Sequence, residues 1–198
     1  LLLALMPFQS VMAVHPPESI EFEEAHEGPD FPVGWFDGHY GDGDEHIHFR
    51  LIYPAMEDGE SATMAGNGPF TWVQFFGDDG ENIEDYMLLS TPIAERGHIV
   101  VVHLGLSDAT DVEVSLTTAE TGYEYMVMLN ESNDVIMGSF GQIDLNHWGL
   151  GGHGHGAASA YGILPYWNER SDTPGAQPPR ALFGLGADFS SWDEGAHW

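Results

Sequence analysis

Gly152-His153-Gly154-His155-Gly156 is the stretch whose residue types and spacing come nearest to chemistry. The frame G-x-S-x-G turns a chain sharply between a strand and a helix and presents a nucleophilic serine at its middle position. Here the middle residue is Gly154. Glycine accepts the turn but carries no oxygen, so the frame is present and the nucleophile is not. The backbone N–H of His155 would still point outward at the N-terminus of the following helix, where negative charge is stabilised.

Other residues near this frame are poor substitutes. Ser159 lies more than one helical turn further on and is expected to pack rather than attack. His153 should pack beneath the turn, with His155 more exposed. A metal held by this pair with His103 or Asp78 would need further ligands, because i,i+2 spacing alone is weak evidence. His46 and His48 share one strand face and are equally weak. Cysteine is absent, which removes disulfides and thiolate zinc sites, and with only two ligands close in sequence no metal is expected at His153 and His155; no cofactor is expected either. Gly149-Leu150-Gly151-Gly152-His153-Gly154 formally fits G-x-G-x-x-G. A dinucleotide site needs that pattern at the first strand-to-helix turn with an acid after the next strand; here three strands precede it, and Asp172 lies in a Pro-containing loop.

These residues must be positioned by a chain of 198 residues, 42 % hydrophobic and 12 % aromatic, which is enough for one packed domain. The charge is lopsided: 32 acidic side chains face Arg50, Arg96, Arg170 and Arg180 with no lysine, a formal net charge of -28. Such a surface repels nucleic acid and anionic membranes and suits salty water. Leu1 to Phe8 is an apolar run leading to Val11-Met12-Ala13, small residues of the kind a signal peptidase reads. Residues 1–13 are therefore expected to be the remnant of a secretory signal, which makes the mature chain extracytoplasmic. The run is too short to span a bilayer.

Residues 14–45 are rich in Pro, Gly and acid and predict an irregular leader with Trp35, Phe36 and Tyr40 as anchors. Its closing run, Gly41 to Glu45, does not have the spacing of a calcium loop. A domain over 46–198 comes next. His46 to Tyr53 alternates as a strand, and Phe70 to Phe76 is a stronger one. Ile99 to Val102 is the continuous β-branched run of a strand covered on both faces. Between the last two, Asn82 with Asp85 opens a helix that Gly97 closes, with a kink or early stop at Pro92. Val112 to Leu116 could open a strand or a helix. Tyr123 to Leu129 predicts a helix with Met126 and Leu129 inward. Gly138 to Asp144 is turn-rich, His147 to Gly151 is a strand, Ala157 to Trp167 a helix, Asn168 to Pro179 a loop, and Ala181 to Gly186 a short strand.

In order and spacing, five pieces resemble the α/β-hydrolase superfamily, particularly its secreted dienelactone-hydrolase, chlorophyllase and cutinase-like polyester-hydrolase group. They are Leu51 to Ala55, Gly68-Pro69-Phe70 leading to Phe76-Gly77, Ile93 to His98 before Ile99 to Val102, Ile143-Asp144, and Gly151 to Ala157. The resemblance covers roughly 140 residues, from Phe49 to Asp188. It implies a mostly parallel central sheet with helices on both faces, apparently truncated at the C-terminus, and carboxylic ester hydrolysis. It also implies Ser at 154, an oxyanion hole from the backbone N–H groups of Asp78 and His155, and an acid and a His after later strands. Asp188 and His197 are the residues left to stand in for those last two.

The departures are Gly for Ser at 154, and Phe76-Gly77 where the group usually has His-Gly. Asp78 and Asp79 then place two carboxylates beside a site that should stabilise negative charge, which opposes catalysis unless they point into solvent. Two readings are compatible with this. One is a non-catalytic or very weak relative that keeps a pocket for an ester-like or apolar ligand. The other is an active ester hydrolase, with unusual chemistry or a sequence error at Gly154. A separate prediction rests on the charge alone. Acidic groups repel over about 10 Å at 0.1 M salt and only about 3 Å near 1 M. The melting temperature should therefore rise from low to molar NaCl, and a flat or falling trend removes the halotolerant reading.

Overall fold

A computed structural model describes residues 30–40, 47–104, 112–132, 136–170 and 177–187. Among the described residues seven strands form one sheet: β1 Val33–Tyr40, β2 Ile47–Pro54, β3 Gly59–Glu60, β4 Phe70–Phe76, β5 Ile99–Leu104, β6 Ile143–His153 and β7 Ala181–Leu185. Their order is β3-β1-β2-β5-β4-β6-β7. From β5 outward, β5, β4, β6 and β7 pair in parallel, whereas β2 runs antiparallel to both β1 and β5. Among the described residues three α-helices pack against the sheet, α1 Met87–Glu95, α2 Val112–Glu131 and α3 Gly154–Arg170. The mostly parallel sheet with helices on both faces is as expected.

Residues 33–40 correct the expectation of an irregular leader. They form β1, paired with β2 along its whole length from Val33–Pro54 to Tyr40–Ile47. The glycines that read as loop punctuation lie under aromatic rings. A side chain on Gly34 would meet the Tyr53 ring at 2.5 Å, and one on Gly38 would meet Phe49 at the same distance. The acid has a partner too. Asp37 takes a two-pronged bond from buried Arg50, 2.6 and 2.8 Å, while Glu84 accepts a third bond at 2.8 Å and Trp35 lies 4.5 Å under the guanidinium. Arg50 thus ties β1, β2 and the 3₁₀ turn before α1 together. Residues 1–29, 41–46 and 188–198, which hold the signal remnant, His46, Asp188 and His197, lie outside the described residues, as does Asp172.

The sheet separates two apolar clusters. On one face α1 packs Ala94 and Met87 against Val33, Ile52, Val100 and Val102. Pro92 sits inside this helix without ending it, at an exposed position. On the other face α2 and α3 cover Leu51, Trp72, Val101 and Leu150 with Leu116, Met126, Leu129, Ile163 and Trp167. Trp148 stacks on Trp72 (5.0 Å, 13°) and meets Trp167 edge-on at 5.1 Å, which fixes α3 over β4 and β6. The two segments expected separately at 112–116 and 123–129 are one continuous helix, and the strand expected from His147 begins at Ile143. No helix among the described residues is long and apolar enough to cross a membrane.

A buried polar link joins α2 to the sheet. Gln74 donates to the Ala119 carbonyl at 2.9 Å and its side-chain oxygen lies 2.9 Å from His103 Nε2. Gly122 makes room for this pair: a Cβ there would collide with Gln74 and lie 3.1 Å from the His103 ring. Gly122→Ala should therefore destabilise the domain by about 1–3 kcal/mol through overpacking, despite alanine's better helix propensity, as read by urea unfolding.

Candidate functional site

The turn from β6 into α3 is built by backbone contact. Gly152 ends up against the backbone of Gly156 and Ala157, and Gly156 against the Phe76 and Gly77 carbonyls at the end of β4. In both places a Cβ would strike backbone atoms, so no side chain could be accommodated by a rotamer change. Gly154, at the apex, has φ +53°, the left-handed region in which side chains are strained. The glycine frame therefore makes the turn its spacing predicts, and it carries the first residues of α3 up to the loop after β4.

Asp78 lies on that loop, and its carboxylate occupies the space in front of Gly154. A Cβ on Gly154 would collide with both carboxylate oxygens. Oδ1 accepts the backbone N–H of His155 at 2.9 Å and that of Asp79 at 3.0 Å, and His155 Nδ1 is 3.2 Å away. Burial disfavours the charge on Asp78, but the two N–H bonds and the rings of His155 and His153 outweigh it and hold the carboxyl below its ordinary value. The Asp78 side chain is 27 % exposed, and its carboxylate is turned toward Gly154 and the His155 N–H. It sits against the position that a side chain on residue 154 would take.

The second donor of an oxyanion hole at this place would be the N–H of Asp78. That N–H donates to the Tyr86 hydroxyl at 2.6 Å. Burial, above all, raises the pKa of this phenol, which keeps it protonated at neutral pH. The Tyr86 oxygen is also 3.4 Å from His153 Nδ1, with the two rings edge-on at 6.1 Å. His153 thus packs against Tyr86 at the end of β6. His155 is 25 % exposed and faces Asp78 and, at 3.7 Å, Asp79. Both candidate donors are bonded to groups of this chain.

The remaining candidates lie elsewhere in the fold or serve its packing. Ser159 is fully buried and donates to the His155 carbonyl at 3.1 Å, an intrahelical bond. His103 is buried on the α2 side of the sheet beside Gln74, and burial pushes its pKa down to about 3, so it is neutral at physiological pH. It does not join Asp78 and His155. Among the described residues no group of three His, Asp or Glu is placed to hold a metal. His48 is exposed on β2, opposite Leu104 and His39. The G-x-G-x-x-G match dissolves. Gly149 and Gly151 lie inside β6, and Gly151 makes room for the Phe183 ring. Tyr86 is the residue that sequence reasoning missed as a site member. It reads as one apolar position on a helix face, and nothing in the local pattern signals that its hydroxyl returns to the loop after β4.

With this geometry in place, comparison with solved structures identifies the scaffold. A ferulic acid esterase from Streptomyces cinnamoneus superposes with TM-score 0.52 at 14 % identity, over 69 % of this chain and 56 % of the esterase. An iron-lacking apo form of EstFA superposes with TM-score 0.50 at 13 % identity, over 81 % of this chain and 47 % of that one. The fold is α/β-hydrolase-like. This chain spans about half the length of those structures. A bacterial heroin esterase gives a TM-score of 0.49 at 15 % identity. No family model and no curated protein matches the sequence.

The lowered pKa of Asp78 has a definite linkage sign. Because the folded value lies below the ordinary one of 3.8, its contribution to stability is fully present above that value. It is lost as pH falls through the lower, folded value. Asp78→Asn should thus be less stable than the parent at neutral pH, with the gap closing at acid pH. Urea unfolding of both proteins from pH 7 to pH 2.5 checks this, and a gap that stays constant with pH would show that charge plays no part.

Proposed function

We propose that this chain is a secreted α/β-hydrolase-like protein, of the dienelactone-hydrolase, chlorophyllase and cutinase-like kind, that has lost ester hydrolysis and serves as a binding relative for an ester-like or apolar ligand. The observation that carries the non-catalytic reading is the Asp78 carboxylate in front of Gly154. Ester hydrolysis needs a nucleophile at that point and donors aimed at a developing oxyanion. Here the nucleophile is missing, the His155 N–H serves Asp78, and the Asp78 N–H serves Tyr86. Asp79 adds a second carboxylate 3.7 Å from His155 Nδ1. The acidic surface and the apolar N-terminal run support an extracytoplasmic location.

The rival reading, an active ester hydrolase, draws on the intact turn geometry at Gly152, Gly154 and Gly156. Turnover separates the two. Removing the nucleophile of a triad enzyme costs on the order of 10⁶ in kcat. The protein should give no release of p-nitrophenol from short-chain esters above background and no labelling by a fluorophosphonate. Ester turnover abolished by changing His155 or Ser159 would overturn the proposal and name the substitute group.

The loss also has two parts, and this is measurable without activity. Gly154→Ser places a side chain against Asp78, so it should destabilise the parent. The same change should cost less in an Asp78→Ala background, with a coupling of about 0.5–3 kcal/mol in a double-mutant cycle read by urea unfolding. Additive effects of the two changes would mean that Asp78 does not occupy the nucleophile's space.

A further inference from the structure

An apolar hollow among the described residues lies at the other edge of the sheet. It measures about 320 Å³ and is walled by Val73, Ile93, Gly149, Ala181 and Phe183, with His98, His147 and Arg180 at its rim. Gly149 is four residues before His153, where β6 ends, so it lies ~13 Å from the turn at the rise of a β-strand. This site is therefore separate from the Asp78 region, and a ligand held here does not depend on that region being a former esterase site. α1 packs chiefly over β2 and β5, and among the described residues Phe183 of β7 covers Gly151 of β6 and meets Phe75 on this face.

Charge at the rim is the second observation. The chain has 32 acids and four arginines, so an arginine would be expected to find a carboxylate. Arg50 finds two. Arg180 is exposed, its backbone N–H is fixed to the Trp148 carbonyl at 2.7 Å, and its guanidinium meets no acid among the described residues. Arg96 borders an adjoining hollow with His98 and likewise meets no acid there. His98 is held by Thr71 at 2.6 Å, and His147 is engaged by Asp144 at 2.8 Å, so Arg180 is the cation at this rim left for a guest.

We propose that this cavity binds a small ligand with an apolar body, about two fused rings in size, and a single anionic head group that pairs with Arg180. The volume sits at the low end of the roughly 300–1,000 Å³ of small-molecule sites. A single charge fits best, because a surface of net charge -28 repels polyanions before they reach the arginine at the rim.

Two dyes with the same rings test it, 1-anilinonaphthalene-8-sulfonate and uncharged N-phenyl-1-naphthylamine, titrated by fluorescence against the intact protein. Arg180→Gln should weaken the sulfonate about tenfold, the scale of one charge-assisted hydrogen bond, and leave the neutral dye within about twofold. Ile93→Trp, which fills the cavity, should abolish both while far-UV circular dichroism and the urea midpoint show that the fold is kept. The proposal is overturned if Arg180→Gln leaves the sulfonate unchanged, or if Ile93→Trp leaves either dye bound. It is also overturned if sedimentation shows a dimer that Ile93→Trp dissociates, since the groove would then be covered by a second copy.

Discussion

The close backbone approach between the head of α3 and the end of β4 is the constraint on which the rest of the site depends. Gly156 rests on the Phe76 and Gly77 carbonyls, and Gly152 on Gly156 itself. Nothing larger than a hydrogen fits at either place. Once that contact is made, the residue after Gly77 must lie beside the first N–H groups of α3. In this chain that residue is an aspartate, and an N-terminal helix turn offering free N–H groups is where a carboxylate is most stable. The charge that sequence reasoning could only place near the site is therefore drawn into it.

This gives the missing nucleophile a physical context. A serine at 154 would compete with Asp78 for volume, and the oxyanion it generated would compete for the His155 N–H. Glycine at 154 and a carboxylate at 78 are compatible with each other, because a Cβ at 154 would collide with that carboxylate. Tyr86 completes the arrangement by accepting the N–H of Asp78, so the pair of donors that would polarise a carbonyl is satisfied before any ligand arrives. Polar groups that already have good partners gain little from binding a substrate oxygen, and less still when that oxygen must displace an ion.

Much of the sheet was legible because its signals are local. The β-branched run at Ile99 to Val102, the aromatic strand at Phe70 to Phe76 and the glycine frame at 152–156 each carry their own evidence, and β5, β4 and the β6–α3 turn form there. β1 was not legible, for a reason visible in its packing. Gly34 and Gly38 look like loop residues until the rings of Tyr53 and Phe49 are seen to need their space, and Asp37 looks solvated until Arg50 is found against it. Those partners lie on the neighbouring strand, beyond the reach of any local window. The same holds at the site. The position of Asp78 came from the resemblance, but the direction of its side chain depends on His155, 77 residues further on, and the role of Tyr86 depends on how a 3₁₀ turn meets a loop.

The two edges of the parallel sheet end up with opposite electrostatics. At the C-terminal edge the described groups around the turn are Asp78 and Asp79 against two histidines, with no arginine or lysine among them. At the N-terminal edge Arg180 stands beside an apolar hollow and Arg96 beside a mixed one that Asn67 and His98 also line, both without acidic partners among the described residues. In most open parallel sheets ligands enter at the C-terminal edge, where helix N-termini supply positive potential. Here that potential is spent on Asp78. An anionic group approaching this strongly acidic protein meets repulsion over nearly all of its surface, and the N-terminal edge offers it a place where an apolar hollow lies beside an arginine that meets no acid among the described residues.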